Sequence, residues 1–522
     1  MYRSYALGQY RTMYDNPIYR WRASIAVALS EMHKPPTHGY VAYRSISDYL
    51  NLHGLGLLDG EASPLPTAEE LHTLIYDPTR LEDLIRAAAA TPVDPALPSV
   101  PIVGNEKGEA DFYFWSFSLF GIHLASLWKF YFVLLFFSTT IFFLTYFRSQ
   151  LCLLLLLVYL VGHYALVGLA SAPWVQTVHN SRFFPVLALL PALHLLLLLL
   201  TRMRFSRLNA ACALAQTVLL FFLVFCRFQA IWQPVAIIVV GMLMAPWHSI
   251  WTAFRQQRRL SEPLARTIVA VWPAAFVAAG LAGLILYQNF ALNHDAYKTE
   301  TKTHTFWEPM FSGTVGADPE LCKLYCGGEE PYSDNLGYVA VLNYLRHYDN
   351  AKPDIAYVFD GQIQIDAMKD MGVYDNLLRH IFFDMLKQHP LLVLRSMFFE
   401  KLDDQVDILY HARILHYTGN SITGLLAVAI GFLILTTGFP SFQRTHVAAA
   451  ARCGAILAVF SLTTTEIIPD VLIFDTVMFF TMVAVLLIAL TVIFASRVVI
   501  LGAKDRLMRG SPDRSINRLS SQ

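Results

Sequence analysis

Apolar residues in this chain gather into long unbroken runs, with the polar residues collected between them. Nine runs reach or approach the roughly 20 residues a helix needs to cross a hydrocarbon core: 127–147, 150–170, 184–201, 208–227, 230–250, 267–287, 421–438, 448–464 and 471–496. They divide the chain into an N-terminal polar region (1–126), six transmembrane helices (127–287), a second polar region (288–418), three further helices (419–498) and a basic tail (499–522). The pattern predicts an all-α polytopic membrane protein with two α-rich elaborations.

Short loops on the cytoplasmic side of a membrane carry the excess of Lys and Arg. Here Arg148 lies in the first connection, Arg202, Arg204 and Arg207 in the third, Arg255, Arg258, Arg259 and Arg266 in the fifth, and Arg444 and Arg452 in the seventh. The tail adds Arg497, Lys504, Arg506, Arg509, Arg514 and Arg518, whereas the eighth connection, "TTTEIIPD", is acidic. The alternation puts the C-terminus inside and both polar regions outside. Residues 1–126 contain no signal peptide, and "ASIAVALSEM" is far too short to span. A transmembrane helix preceding Met1 is therefore expected, translocation by a partner or a span count differing by one being the alternatives.

Local signals populate the polar regions. "NPIYRWRASIAVALSEM" reads as helical, and "SISDYLNLHGLGLLDG" ends in a glycine-punctuated turn. "PTAEELHTLIY" pairs Thr67 with Glu70 as a capping box, and "DPTRLEDLIRAAAA" opens with Asp77 as cap and Pro78 at the first helical position. Further on, "SDNLGYVAVLNYLRHY" predicts a helix capped by Ser333 or Asp334, and "YDNLLRHIFFDMLKQHP" one stopped before Pro390. "LLVLRSMFFEKLDD" sets Arg395, Glu400 and Lys401 among apolar residues and reads as an interfacial helix returning the chain to the bilayer.

Composition agrees: 55% of residues are hydrophobic and 15% charged, against about a quarter charged in soluble domains. Thirty-nine basic and 39 acidic residues cancel, which leaves no global charge to attract nucleic acid. Four of the six cysteines lie in apolar runs; Cys322 and Cys326, in "LCKLYCGG", lie in a polar region and are candidates for a disulfide. A metal site there would need two further ligands at a usual spacing, and none is present. Phosphate-loop, dinucleotide and zinc motifs are absent from the sequence.

Three carboxylates, Glu106, Glu109 and Asp111, crowd the entrance to the first span. Asp111 and Glu109 read either as a general base or metal ligand at the water–membrane boundary, or as acids favoured in the first turn of a helix starting near Phe112. Glu106 reads as a solvated surface charge. His179 and Arg182 lie on an outer loop, against the positive-inside pattern, where Arg182 either holds a phosphate or snorkels; Arg227 is a similar case. Trp307, Glu308, Asp334 and Tyr338 form an aromatic and acidic set suited to a sugar ring, or to ordinary loop packing. Lys401 either meets a lipid phosphate or snorkels. His163, His194, His248 and Asp475 fall within the spans, at depths too scattered for a proton pathway.

The stretch "GEADFYFWSFSLFGIHLASLWKFYFVLLFFSTTIFF" and the later "MLKQHPLLVLRSMFFEKL" resemble the GT-C superfamily of integral-membrane glycosyltransferases that use polyprenyl-phosphate sugars, in particular its protein mannosyltransferase-like members. The first is similar to the family's acidic residue, membrane-surface helix, small "FG" turn and following span; the second to its "hP…l…K" segment before the C-terminal spans. The resemblance implies a GT-C-like helical bundle in the bacterial inner membrane. It also implies inverting sugar transfer on the outer face with an outer carboxylate as base, and a divalent cation, Mg or Mn, in some members. The base role is carried to Asp15, in "MYDNPIY", with a supporting acidic role for Asp111, and the lipid phosphate to Arg182. The family's first helix, which the acidic residue follows directly, is missing from this sequence. A transporter or lipid flippase and a non-catalytic assembly subunit are the rival expectations.

Overall fold

The computed structural model describes residues 18–33, 41–50, 78–94, 100–101, 107–169, 183–246, 269–292, 306–327, 335–347, 353–367, 370–400, 449, 452–457 and 459–460. Of these residues, 83% are helical. They form two separate hydrophobic cores.

The first core opens with α1 (Ile18–Met32), α2 (Arg44–Leu50) and α3 (Pro78–Ala90). A two-residue strand pair, β1 (Val41–Ala42) with β2 (Val100–Pro101), ties these to the next element. Then follow α4 (Lys107–Phe120), α5 (Leu124–Tyr146), α6 (Gln150–Leu169), α7 (Phe183–Leu200), α8 (Arg207–Cys226), α9 (Trp232–Met244) and α10 (Trp272–Phe290). The last six stand where the first six apolar runs predict them. Among the described residues, four helices, α5, α7, α8 and α10, are long and apolar enough to cross a membrane. The eighth run is helical at its described residues and adds Ala449, Cys453 and Leu457 to this core. The seventh and ninth lie outside the described residues.

Helix α7 reads "FFPVLALLPALHLLLLLL", apolar on every side, so only the centre of a bundle can bury it; it is buried along almost its whole length. Neighbouring helices donate to its backbone carbonyls. Tyr131 Oη reaches Phe183 O at 3.2 Å, Gln233 Nε2 reaches Pro185 O at 2.9 Å, Tyr159 Oη reaches Val186 O at 2.9 Å and Tyr146 Oη reaches His194 O at 3.4 Å. Because Tyr131 meets the start of α7 and Tyr146 a point further along, α5 and α7 run parallel. Ser138 and Gln216 exchange two bonds of 2.9 Å and lock α5 to α8 at mid-height. Helix α5 buries Leu127, Tyr131, Leu135, Ser138, Phe142 and Tyr146 at helical spacing, and turns Phe132, Phe136, Phe143 and Phe147 outward. At one end of the bundle lie Arg148, Arg202, Arg204 and Arg207, all exposed; Ser206 caps α8 there by accepting from the Asn209 N–H at 3.1 Å.

The second core comprises α11 (Trp307–Ala317), α12 (Pro319–Cys326), α13 (Asn335–His347), the hairpin β3 (Ala356–Phe359) and β4 (Gln362–Ile365), α14 (Met371–Gln388), α15 (Pro390–Arg395) and a π-turn at Ser396–Glu400. Helices α13 and α14 stand where they are predicted, α14 ending at the His389 cap before Pro390. The helix expected over "LLVLRSMFFEKLDD" is α15 followed by the π-turn, its last four residues lying outside the described residues. The hairpin is a small addition to a region that is otherwise α-rich, as expected. Its "DG" turn places Asp360 (φ 51°) and Gly361 (φ 73°) in the left-handed region, as a tight two-residue hairpin turn requires.

Candidate functional site

Helix α4 carries Glu109 and Asp111 of the sequence's acidic cluster, Glu106 lying outside the described residues, and its placement begins with a glycine. A Cβ on Gly108 would run into the Phe225 carbonyl, so only glycine lets α4 rest on the end of α8. Cys226 Sγ donates to Gly108 O at 3.1 Å across the same contact. The helix begins at Lys107, earlier than the expected start near Phe112, which places Glu109 in the first turn and Asp111 in the second.

The organising group is Lys107, which sequence reading passed over. Its side chain is 4% exposed and its ammonium binds Glu31 Oε1 of α1 at 2.7 Å and Asp111 one turn along α4. Burial opposes the charge, but Asp111 and then Glu31 outweigh it and hold the lysine pKa above its ordinary value. Glu109, 6% exposed, accepts from Ser24 Oγ of α1 at 3.3 Å and from Tyr113 Oη at 3.2 Å. Burial, then Glu109 itself, pushes the Tyr113 hydroxyl well up, so it stays a donor. Tyr287, near the end of α10, is within electrostatic reach of Asp111, Lys107 and Glu31. One ammonium and three carboxylates therefore share this end of the bundle, opposite Arg148, Arg202, Arg204 and Arg207. Asp111 is the most open of the carboxylates, its side chain 20% exposed.

A second polar cluster holds the break between α4 and α5. Gly121 (φ 82°) turns the chain. The orphan N–H of Leu124 at the start of α5 is capped by Glu82 Oε2 of α3 at 3.1 Å. Glu82 Oε1 also meets His123 Nδ1 at 2.9 Å, while Arg86 binds Glu82 and donates through Nε to Ile122 O at 3.2 Å. Burial raises the Glu82 carboxyl, but the His123 and Leu124 hydrogen bonds and Arg86 bring it below its ordinary value. No local signal marks Glu82 for this role, because its targets lie on another helix.

Comparison with known protein families, with curated proteins and with solved structures finds no match to this chain.

Asp111 and Glu109 come together with Glu31 and Lys107, whereas Asp15, His179, Arg182, Asp334 and Lys401 lie outside the described residues. The aromatic set is engaged in packing. Trp307 lies against Phe382 and Phe383, with ring centroids 5.8 and 5.2 Å away, and the Trp307 and Glu308 N–H groups donate to Asp375, which caps α11 from α14. Tyr338 Oη accepts from the Ala367 N–H at 3.2 Å, and its ring lies against Tyr374. Cys322 and Cys326 correct the disulfide expectation: both are buried thiols on successive turns of α12, and Cys326 Sγ donates to Leu336 O at 3.4 Å. Residues one turn apart on a helix hold their Cβ atoms about 5–6 Å apart, beyond the roughly 3.8 Å a disulfide needs.

The divalent cation implied by the resemblance does not fit this cluster. The Lys107 ammonium fills the position between Glu31 and Asp111, and among the described residues no three His, Cys, Asp or Glu side chains converge for a metal. His163 and His194 also lie apart. One sits against Tyr131 near the start of α7, and the other lies against Tyr146. At the rise of an α-helix, that is roughly 16 Å further along α7.

Proposed function

We propose that this chain is a membrane-embedded glycosyltransferase that moves a sugar from a polyprenyl-phosphate donor to an acceptor at the acidic end of its bundle. The observation that carries this reading is the Glu31–Lys107–Asp111 cluster, an enclosed charged group at the end of an apolar bundle with one partly open carboxylate. The outward face of α5 supports the membrane setting. Phe136 is 73% exposed, with Phe132, Phe143 and Phe147 beside it in the same stripe, an apolar patch that water-soluble monomers rarely leave open. The arginines gathered at the opposite end support a cytoplasmic end there and an extracytoplasmic acidic end, in a bacterial inner membrane with the C-terminus inside.

In this mechanism Asp111 accepts the proton of the acceptor hydroxyl. The freed oxygen attacks the anomeric carbon, and the lipid phosphate leaves with the bonding electron pair. Lys107 holds the Asp111 carboxylate in place, Glu31 and Glu109 fix α4 against α1, and Arg182 is assigned the lipid phosphate. Asp111→Asn abolishes transfer from a polyprenyl-phosphate sugar in reconstituted vesicles while the unfolding midpoint stays within a few degrees of wild type. Near-normal turnover in that variant removes Asp111 from the mechanism. One observation favours a non-catalytic assembly subunit instead: Lys107 already satisfies both carboxylates. Asp111→Asn and Glu109→Gln with full biological function and no donor-induced stabilisation would select that rival.

A further inference from the structure

Residues 390–400 bury one apolar face and expose another. Val393 and Ser396 are buried in the second core, and Leu392 and Met397 pack against it. Leu391, Leu394, Phe398 and Phe399 point outward, Leu391 80% and Phe399 72% exposed. The first three follow i, i+3, i+7 spacing and form one stripe. The π-turn at Ser396–Glu400 keeps Phe398 and Phe399 exposed together; such turns are rare and concentrated at functional positions. The only charges in the segment neutralise each other, Arg395 donating to Glu400 Oε1 through Nε at 2.7 Å and Nη2 at 2.6 Å.

A helix that is apolar on two faces needs cover on both. We propose that the outer stripe of 390–400 docks on the membrane surface, its side chains entering the boundary between headgroups and acyl chains. This rests on the membrane reading above and adds which face of the second core meets lipid. Two observations select lipid as the occupant. The self-neutralised Arg395–Glu400 pair lets the stripe approach hydrocarbon without stranding a charge, and offers no net charge to a polar protein partner. The core is also tethered to an apolar helix on one side and to an apolar run of sequence on the other. Residues 293–305 allow at most about 45 Å of separation from the end of α10, and the apolar run 421–438 follows shortly after Glu400.

The test uses the full chain in liposomes, with an environment-sensitive fluorophore on Leu391→Cys, Phe399→Cys or, as a reference on α5, Phe136→Cys. All six native cysteines are buried, and unsubstituted protein supplies the labelling background. The expected result is blue-shifted emission at 391 and 399, quenched by lipid carrying a shallow nitroxide and quenched several-fold less by aqueous iodide than free probe. Iodide quenching at 391 and 399 with lipid quenching at 136 overturns the docking and leaves the membrane reading standing. Shielding from both quenchers at 391 and 399 means that protein covers the stripe, which also overturns it. Iodide access at 136 refutes the membrane reading itself, and the docking with it.

Discussion

An ammonium enclosed by Glu31 and Asp111 holds two anions in place, so Lys107→Met takes that buried cation from both carboxylates, of which Asp111 is partly open. Removing one member of a buried ion pair costs about 3–5 kcal/mol, and thermal unfolding in detergent is expected to register a loss of that order. Adding Glu31→Gln and Asp111→Asn to the same variant should recover much of it, because the desolvated charges are then gone. The pH dependence follows from the sign of the shift. The Lys107 pKa is raised in the folded protein. Its contribution is therefore complete below the unfolded value of about 10.4 and fades as pH rises through the higher folded one. The difference in unfolding midpoint between wild type and Lys107→Met is therefore expected to shrink as pH rises through the alkaline range. Both acids of this cluster on α4 were legible as candidates from sequence. Lys107, Glu31 and Ser24 were not, since an isolated lysine and two residues of a distant helix carry no spacing signal.

At the scale of elements, the junction of α4 and α5 depends on a cap supplied from α3. Glu82→Ala frees the Leu124 N–H and is expected to destabilise by about 1 kcal/mol, the usual worth of a cap. The Glu82 carboxyl is lowered on folding. Its contribution is present above the unfolded value of about 4.3 and lost as pH falls through the lower folded one. The difference in unfolding midpoint between wild type and Glu82→Gln is accordingly constant above about pH 5 and shrinks on acidification. Gly108→Ala would drive a methyl into the Phe225 carbonyl and push α4 from α8, with a loss of thermal stability larger than an exposed helical alanine substitution gives. Element positions were largely legible, since long apolar runs and proline stops act locally. The β3–β4 hairpin was not read, although alternation around "DG" carried its signal.

Across the whole molecule, the two cores share no residue in their buried clusters. A fragment covering 303–402 is therefore expected to fold alone, with a helical circular-dichroism spectrum and a cooperative thermal transition; a featureless melt would show that it depends on the bundle. The sequence by itself determined the helical character and the positions of the first six apolar helices, because those depend on apolar length along the chain. Tertiary structure alone decided that Glu31, Lys107, Glu109 and Asp111 form one cluster, that Trp307 meets Phe382 and Phe383 and Tyr338 meets Tyr374, and that Cys322 and Cys326 are thiols. Each of those outcomes turns on which helix faces meet, and a face is completed only by a neighbour far away in the chain.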